Sequence, residues 1–171
     1  MSAIAMALIK KGYSISGSDL VKNKETRKLE ALGAIIFDSQ TKNNINFVIS
    51  QFHNQTINFV ISSAIKDENE ELCFCKKSNL IVKHRSEILA MIMKSYFSLS
   101  IAGSHGKTST STFLSTLLEL CTHNSSSITG GIIPIYESNA HIEDTKYLVT
   151  EIDESDGTIT VSYTHLRAHE T

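Results

Sequence analysis

The sequence lacks the features of a secreted disulfide scaffold and of a membrane protein. Its three cysteines, Cys73, Cys75 and Cys121, are an odd number without framework spacing, which favours a reducing compartment. No apolar run approaches the ~20 residues that a membrane span needs. The segment from Met1 to Lys11 places its lysines after its apolar residues, the reverse of a secretory signal. We therefore expect a cytoplasmic protein without a membrane partner.

An excess of charge of one sign is also missing. The 171 residues carry a formal net charge of −2, and 20% of them are charged and 41% hydrophobic. This composition is globular, and the length suits one ordinary domain or two small ones. It gives no electrostatic reason to expect nucleic acid or a membrane surface as a partner. Partners must therefore be inferred from sites.

Short β-rich runs alternate with helical segments through residues 1–95. Glycines close two of the helices, at Gly12 and Gly33. The alternation is typical of βαβ units that build a parallel sheet. Gly17-Ser18-Asp19 is interpreted as a turn after the first strand. The predicted helices are 3–9, 24–32, 67–77 and 86–94, and the predicted strands are 13–16, 34–37, 58–62 and 80–82.

The hexapeptide Ile-Asn-Phe-Val-Ile-Ser occurs twice, at 45–50 and at 57–62. Two copies at so short a period do not make a solenoid array. We interpret them as two strand-like segments that are alike by coincidence. The second copy is predicted to be the core strand.

The pattern restarts near residue 96, where we place a domain boundary. An apolar strand at 97–102 precedes a glycine-rich loop, and further strands are predicted around 128–133 and 147–149. An amphipathic helix at 108–121 follows the loop. Its predicted apolar face consists of Phe113, Leu114, Leu117, Leu118 and Cys121.

The loop between that strand and helix has the context of a phosphate-binding loop. Glycines let backbone N–H groups turn toward phosphates, and the helix N-terminus adds its dipole. Lys107 would neutralise the β- and γ-phosphates, and the Thr108 hydroxyl would ligate Mg²⁺. The pattern G-x-x-x-x-G-K-[ST] is incomplete, because Ile101 stands five positions before Gly106. The alternative is a glycine-rich turn with a chance Lys-Thr pair, which the flanking strand and helix disfavour.

Four carboxylates fall within Glu151-Ile152-Asp153-Glu154-Ser155-Asp156, directly after the strand at 147–150. At the carboxyl end of a strand they suit a Mg²⁺ ion held beside bound phosphates. In an extended segment Glu151 and Asp153 would share one side. Such a run is more often a solvated turn, and the upstream phosphate loop makes it a metal-site candidate.

The loop and the acidic segment resemble the central domain of the Mur ligases, whose loop reads G-T-x-G-K-[ST]. His105 occupies the variable position as in the L-alanine-adding members, and Ser104 replaces the usual threonine. Asp153-Glu154-Ser155-Asp156 resembles the family string that follows the Mg²⁺-binding glutamate, which implies that role for Glu151. Shorter strings extend the likeness over roughly residues 1–160: Ser16-Gly17-Ser18-Asp19, Leu32-Gly33-Ala34, Ser62-Ser63-Ala64-Ile65, His84-Arg85-Ser86-Glu87, Thr129-Gly130-Gly131 and Ser138-Asn139-Ala140.

The resemblance implies an α/β fold. A truncated Rossmann-like unit at 1–96, lacking its first strand and glycine loop, would bind the UDP substrate. The start of a P-loop-type central ATPase domain would follow at 97–160. The implied activity is an ATP-dependent ligase that joins L-alanine to UDP-N-acetylmuramate in peptidoglycan synthesis, through an acyl phosphate. ATP and Mg²⁺ are the implied cofactors, and UDP-N-acetylmuramate, L-alanine and ATP the implied small-molecule partners.

The resemblance also implies the site residues. Lys107 and His105 would be catalytic, although His105 is equally compatible with a structural hydrogen bond. Thr108 and Glu151 would bind the metal. The residues implied for ATP are Gly103, Ser104, His105, Gly106, Lys107, Thr108 and Ser109. Those implied for the UDP substrate are Asp19, Ser63, Gly130 and Gly131.

Several features depart from the family pattern. The N-terminal glycine loop that cradles the UDP pyrophosphate is absent, so Met1 is interpreted as an internal methionine. The second Mg²⁺ ligand, a histidine, and the C-terminal domain are also absent, so we expect no ligase activity from this chain alone. The tail, 161–171, resembles a translated sequencing adapter. We assign it no function, because its pair His165 and His169 has no third metal ligand nearby.

Three alternatives stay open. A murein tripeptide recycling ligase shares a histidine-bearing loop, and the Asp-Glu-Ser-Asp string argues against it. In a P-loop kinase or NTPase of another family the nucleotide loop normally opens the domain, whereas here another α/β unit precedes it. The third alternative is a nucleotide-binding module without catalysis.

Overall fold

The computed structural model describes residues 1–121 and 123–152. The chain divides into two compact units, Met1–Arg85 and a second that begins at Ser86. The string Asp153-Glu154-Ser155-Asp156 and the tail 161–171 lie outside the described residues. No helix within the described ranges is long and apolar enough to cross a membrane.

The first unit alternates helices with strands of three residues. The helices are α1 (Ser2–Lys10), α2 (Lys24–Ala31), α3 (Lys42–Gln51) and α4 (Glu70–Lys77), and the strands are β1 (Ser16–Ser18), β2 (Ile35–Phe37), β3 (Phe59–Ile61) and β4 (Val82–His84). Parallel pairing joins β1 to β2 and β3 to β4, which confirms the predicted parallel α/β arrangement.

The strands of the first unit form two separate pairs rather than one sheet. In a doubly wound sheet of order 3-2-1-4-5, the first strand lies between the pairs 3-2 and 4-5. The pair β1–β2 corresponds to strands 2 and 3 of that order, and the pair β3–β4 corresponds to strands 4 and 5. No strand of the described residues joins the two pairs. This is the truncated Rossmann-like arrangement that was predicted.

Two strands begin later than predicted because the preceding helix uses their first residues. Tyr13 donates its N–H to Leu8 O and so closes α1, and Leu80 donates to Cys75 O and so closes α4. These are helix-terminating bonds, and a residue that makes one is not free to join a ladder. The predicted strands at 13–16 and 80–82 are therefore shifted to β1 and β4, and Gly17 and Ser18 belong to β1 rather than to a turn.

Helix α3 was not predicted. It contains the first copy of the repeated hexapeptide, so the interpretation of that copy as strand-like is wrong. The second copy contains β3, so it is a strand as predicted, but Phe59, Val60 and Ile61 are half-buried and are not core residues.

The second unit is built on a four-stranded sheet. Its elements are α5 (Arg85–Met93), β5 (Phe97–Ile101), α6 (Lys107–Leu120), β6 (Ser125–Ile133), a 3₁₀ turn (Pro134–Tyr136), β7 (Ser138–His141) and β8 (Tyr147–Glu151). The strand order is β5-β8-β6-β7. Strands β5, β8 and β6 are parallel, and β7, which was not predicted, runs antiparallel to β6. The other predicted strands and helices of this unit are confirmed.

Helix α6 buries a polar stripe instead of the predicted apolar face. The Phe113 side chain is 70% exposed and that of Leu117 is 44% exposed, whereas Ser111 and Ser115 are fully buried. Cys121 is also exposed, and Leu114 and Leu118 are only half-buried. Small side chains let the helix lie close to the sheet, where Ser111 hydrogen-bonds to Glu151 of β8. Periodicity alone could not choose between the two faces.

Candidate phosphate and metal site

The phosphate loop lies at the carboxyl end of β5, a parallel strand, as predicted. β5 ends at Ile101 and α6 begins at Lys107. Gly103 has φ +145° and Gly106 has φ +76°, conformations that residues with a side chain rarely adopt. Gly106 is also the N-cap residue of α6. The two glycines therefore permit the sharp path from strand to helix.

The loop surrounds an open depression of about 280 Å³, lined by Ser104, His105, Gly106, Lys107, Thr108 and Ser109. No side chain caps the N-terminus of α6. Its first N–H groups therefore remain available to an anion, which the helix dipole also favours. The Lys107 ammonium donates to Gly103 O at 2.7 Å and so lies across the loop. These groups suit a phosphate.

Glu151 and Thr108 face a common space, which confirms the prediction that they lie near each other. β8 pairs with β5 so that Glu151 stands opposite Ile101, directly before the loop. A Cβ atom placed on Gly130 would lie 2.9 Å from Glu151 Oε2 and 4.0 Å from Thr108 Oγ1. The carboxylate and hydroxyl oxygens thus border the same cradle, which a side chain on Gly130 would fill.

The oxygen donors of this cradle fit Mg²⁺. This ion takes oxygen ligands, and proteins commonly supply one or two carboxylates while phosphates and water complete the shell. The described residues contain no cluster of three or more His, Cys, Asp or Glu side chains that could hold a metal. Thr108 and Glu151 would therefore hold the ion together with the phosphates of a bound nucleotide. The metal role of both residues stays a prediction.

On β6, Gly130 lies against Glu151 and Thr108, and Gly131 lies against Thr108. A Cβ atom on Gly131 would lie 2.6 Å from Thr108 Cγ2, closer than real side chains pack. The absence of side chains at both positions is therefore explained by the close approach of β6 to Thr108 and Glu151. The binding of the UDP substrate by these glycines stays a prediction.

Ser111 belongs to the site, and the sequence analysis missed it. Its hydroxyl donates to Glu151 Oε1 at 2.9 Å, and its side chain is fully buried. The only signal in the sequence was its position one helical turn after Lys107. Many serines and threonines lie on this helix, so spacing alone could not single it out.

The remaining predicted site residues are Asp19 and Ser63 in the first unit and His105 in the phosphate loop. In the first unit Asp19 follows β1, and its Oδ1 atom accepts from Val21 N–H. Ser63 follows β3, and its hydroxyl lies 3.3 Å from His84 Nε2 at the end of β4. In the phosphate loop His105 is exposed, and its Nδ1 atom lies 3.2 Å from Ser104 Oγ. Substrate contacts by these residues stay predictions.

A second polar cluster joins α6 to the β6–β7 hairpin. The Tyr136 ring stacks on His141 with a centroid distance of 3.9 Å. The Tyr136 hydroxyl donates to Glu119 Oε2 at 3.2 Å. Burial, followed by the charge of Glu119, raises the pKa of Tyr136, so the phenol stays protonated as a donor. We interpret this cluster as a structural link.

Comparison with known proteins gives a family match over more than half of the chain. Residues 1–97 match the family described as "Mur ligase family, catalytic domain". This match ends near the predicted boundary at 96, whereas the compact units divide after Arg85. The two divisions differ by α5 and the turn after it, where Tyr96 N–H donates to Met93 O. The domain boundary stays a prediction.

Curated relatives match across most of the chain. The UDP-N-acetylmuramate--L-alanine ligase of Prochlorococcus marinus subsp. pastoris (strain CCMP1986 / NIES-2087 / MED4) is 85% identical over 159 residues, which are 93% of this chain and 34% of the relative. The enzyme of the same name from Prochlorococcus marinus (strain NATL1A) is 47% identical, over 93% of this chain and 32% of the relative. The chain thus spans about a third of the length of these relatives.

Solved structures of low sequence identity share the fold. The UDP-N-acetylmuramate:L-alanyl-gamma-D-glutamyl-meso-diaminopimelate ligase from Neisseria meningitides has a TM-score of 0.80 at 21% identity, over 90% of this chain and 49% of that one. The UDP-N-acetylmuramate-alanine ligase from Thermotoga maritima has a TM-score of 0.78 at 22% identity, over 91% of this chain and 35% of that one. Together with the family match and the close relatives, the phosphate loop and its facing carboxylate show that the chain belongs to the Mur ligase family.

Proposed function

We propose that this chain is the nucleotide-binding part of a cytoplasmic ATP-dependent ligase that joins L-alanine to UDP-N-acetylmuramate. The convergence of the Lys107 loop, Thr108 and Glu151 on one cradle carries the proposal. The relative that is 85% identical and bears this ligase's name supports the choice of substrates. The three cysteines, all free, suit the reducing cytoplasm.

Each residue of the cradle has a defined task in the proposed reaction. The lactyl carboxylate of the substrate attacks the γ-phosphorus of ATP, which gives an acyl phosphate and ADP. The amine of L-alanine then attacks the acyl carbon, so that an amide forms and phosphate leaves. Lys107 and the N–H groups at the start of α6 would hold and neutralise the transferred phosphate. Thr108 and Glu151 would hold Mg²⁺, which supplies further positive charge to the phosphates when bound.

The first unit would bind the uridine nucleotide. Asp19 and Ser63 follow strands β1 and β3, and ligands of parallel α/β sheets collect at such carboxyl ends. We assign residues 1–96 to this task and residues 97–160 to the ATP-binding domain. His105 lies exposed on the loop, where it could reach a phosphate or the acceptor substrate.

The test uses a hybrid ligase. In the full-length ligase of Prochlorococcus marinus subsp. pastoris, the segment that matches this chain over 159 residues is replaced by the corresponding residues of this chain. Phosphate release is then measured with UDP-N-acetylmuramate, ATP and L-alanine. Release that depends on L-alanine supports the proposal. The rest of the hybrid comes from the relative, so only this segment is tested, and a folded hybrid that releases no phosphate would contradict the proposal.

A matched pair of lysine variants tests the phosphate loop in the same hybrid ligase. Lys107→Ala should lower kcat/KM on the order of 10²–10³-fold, because it removes a preorganised charge from the phosphates. Lys77→Ala, at the exposed end of α4, should change it less than about twofold, because surface substitutions remote from such features are nearly neutral. A Lys107→Ala enzyme within a few-fold of the parent would mean that the loop is structural.

A further inference from the structure

The hydroxyl of Ser111 lies between the phosphate loop and β8. The Ser111 side chain is fully buried on the sheet-facing side of α6. Its Oγ atom lies 2.9 Å from Glu151 Oε1, 2.9 Å from Lys107 O and 3.1 Å from Thr108 O. One hydroxyl hydrogen thus has three acceptors within reach.

The charged acceptor is the strongest of the three. A serine inside a helix ordinarily donates to the carbonyl four residues earlier, here that of Lys107. A hydrogen bond to an ionised carboxylate is about twice as strong as one between neutral groups. The hydroxyl therefore donates to Glu151, and the helix carbonyls are the weaker alternatives.

This bond fixes which oxygen of Glu151 faces the cradle. Oε1 accepts from Ser111, whereas Oε2 is the atom that would meet a Cβ on Gly130, close to Thr108 Oγ1. Within residues 1–121 and 123–152, Ser111 is the only hydrogen-bond donor to this carboxylate. Gly130 and Gly131 leave room on the β6 side but offer no side chain to hold it.

We propose that Ser111 is a positioning residue, which holds the Glu151 carboxylate so that Oε2 points to the metal-binding cradle. Without the hydroxyl, the carboxylate could rotate away from Thr108, and the cation would lose a preorganised ligand. Partners that orient a metal ligand commonly contribute 10- to 100-fold in metal affinity, as a rough range. The inference rests on the proposed function, because it assumes that Thr108 and Glu151 hold Mg²⁺ beside ATP.

The experiment measures metal binding separately from turnover. Mn²⁺ is titrated by electron paramagnetic resonance into the hybrid ligase saturated with a non-hydrolysable ATP analogue. Ser111→Ala should weaken Mn²⁺ binding on the order of 10-fold or more, and Ser111→Thr, which keeps the hydroxyl, should recover most of it. Affinity for the analogue in the presence of EDTA should stay within about twofold in each variant, because outer-shell losses act on the metal.

Ser115→Ala is the matched control. Ser115 is equally buried one turn further along the same face, and its hydroxyl has no hydrogen-bond partner among the described residues. This variant should bind Mn²⁺ like the parent. Equal losses for Ser111→Ala and Ser115→Ala, or an equal loss of analogue affinity without metal, would show a general packing effect and overturn the inference.

Failure of the proposed metal site and failure of the positioning role of Ser111 would give different results. A parent hybrid that binds the analogue without any metal dependence would overturn both the proposed metal site and the role of Ser111. A parent that binds Mn²⁺ tightly, together with an unchanged Ser111→Ala variant, would overturn the positioning role alone.

Discussion

The two copies of Ile-Asn-Phe-Val-Ile-Ser have the same side chains and different secondary structures. The copy at 45–50 lies inside α3, and the copy at 57–62 contains β3. Both copies belong to the first unit. The difference between them must therefore come from their neighbours along the chain and in space.

The first copy lies in a helix whose start is stabilised by α4. Lys42 N–H donates to Glu70 Oε1 at 3.2 Å, and the Asn44 amide donates to Glu71 Oε1 at 2.7 Å. Ile45 and Val48, three positions apart, then lie on one helical face and are buried. The helix form is thus supported by carboxylates that are distant in sequence.

The second copy meets a neighbouring strand instead. Phe59 N–H donates to Ile81 O, and β3 pairs in parallel with β4. Six residues with β-branched and aromatic side chains can therefore form either structure. The available partners for their N–H groups decide which one forms.

Proline at the second position of each copy should give the largest contrast. Asn46→Pro would remove a hydrogen bond from the interior of α3 and cost about 3 kcal/mol or more in the free energy of unfolding. Asn58→Pro precedes β3, where proline is tolerated, and should cost less than about 1 kcal/mol. Urea denaturation followed by circular dichroism measures both, and similar losses would contradict the contrast.

Removing the carboxylates of α4 should affect the first copy and spare the second. Glu71→Ala removes the acceptor of the Ser18 hydroxyl and one of the two acceptors of the buried Asn44 amide, whose other bond goes to Ser39 O, and this should cost about 1–3 kcal/mol. Glu70→Ala removes only an exposed contact to the start of α3 and should cost about 1 kcal/mol or less.

Hydrogen exchange locates these effects. In Glu71→Ala, the amides of 45–50 should lose more protection than those of 59–61, because this carboxylate bonds to a side chain of α3 and to none of β3 within the described residues. Glu68→Ala, just before α4 and exposed, serves as the control and should leave both segments unchanged. Equal loss in both copies would mean that Glu71 stabilises the whole unit and not the helix.

The smallest effect should come from alanine at the same exposed asparagines. Asn46→Ala should stabilise the protein by about 0.5 kcal/mol, because alanine is the better helix former. Asn58→Ala should be neutral or slightly destabilising, because alanine is not favoured in strands. Thermal melts should show a higher Tm for Asn46→Ala and an unchanged or lower Tm for Asn58→Ala. Identical shifts in Tm would mean that helix propensity at position 46 does not affect the stability of α3.

The phosphate loop shows how much of the site the sequence could predict. Its strand, glycines, lysine and helix are contiguous from 97 to 120, so local pattern was sufficient. The proximity of Glu151 and Thr108 followed from the rule that parallel strands bring their carboxyl ends together. Ser111 could not be found in this way, because its role depends on which face of α6 meets β8.

Local sequence pattern was enough to predict the α/β class, the phosphate loop and most strands and helices, because these depend on neighbouring residues and on the spacing of apolar positions. The folded structure was needed to place 45–50 in a helix and to bury the serine face of α6, whereas β1 and β4 start late because of local hydrogen bonds that close the preceding helices. In each of these cases, backbone or side-chain groups had several possible hydrogen-bond partners. The partner that the folded chain brought close determined the outcome, and some of those partners, such as Glu71 for Asn44 and Glu151 for Ser111, are distant in sequence.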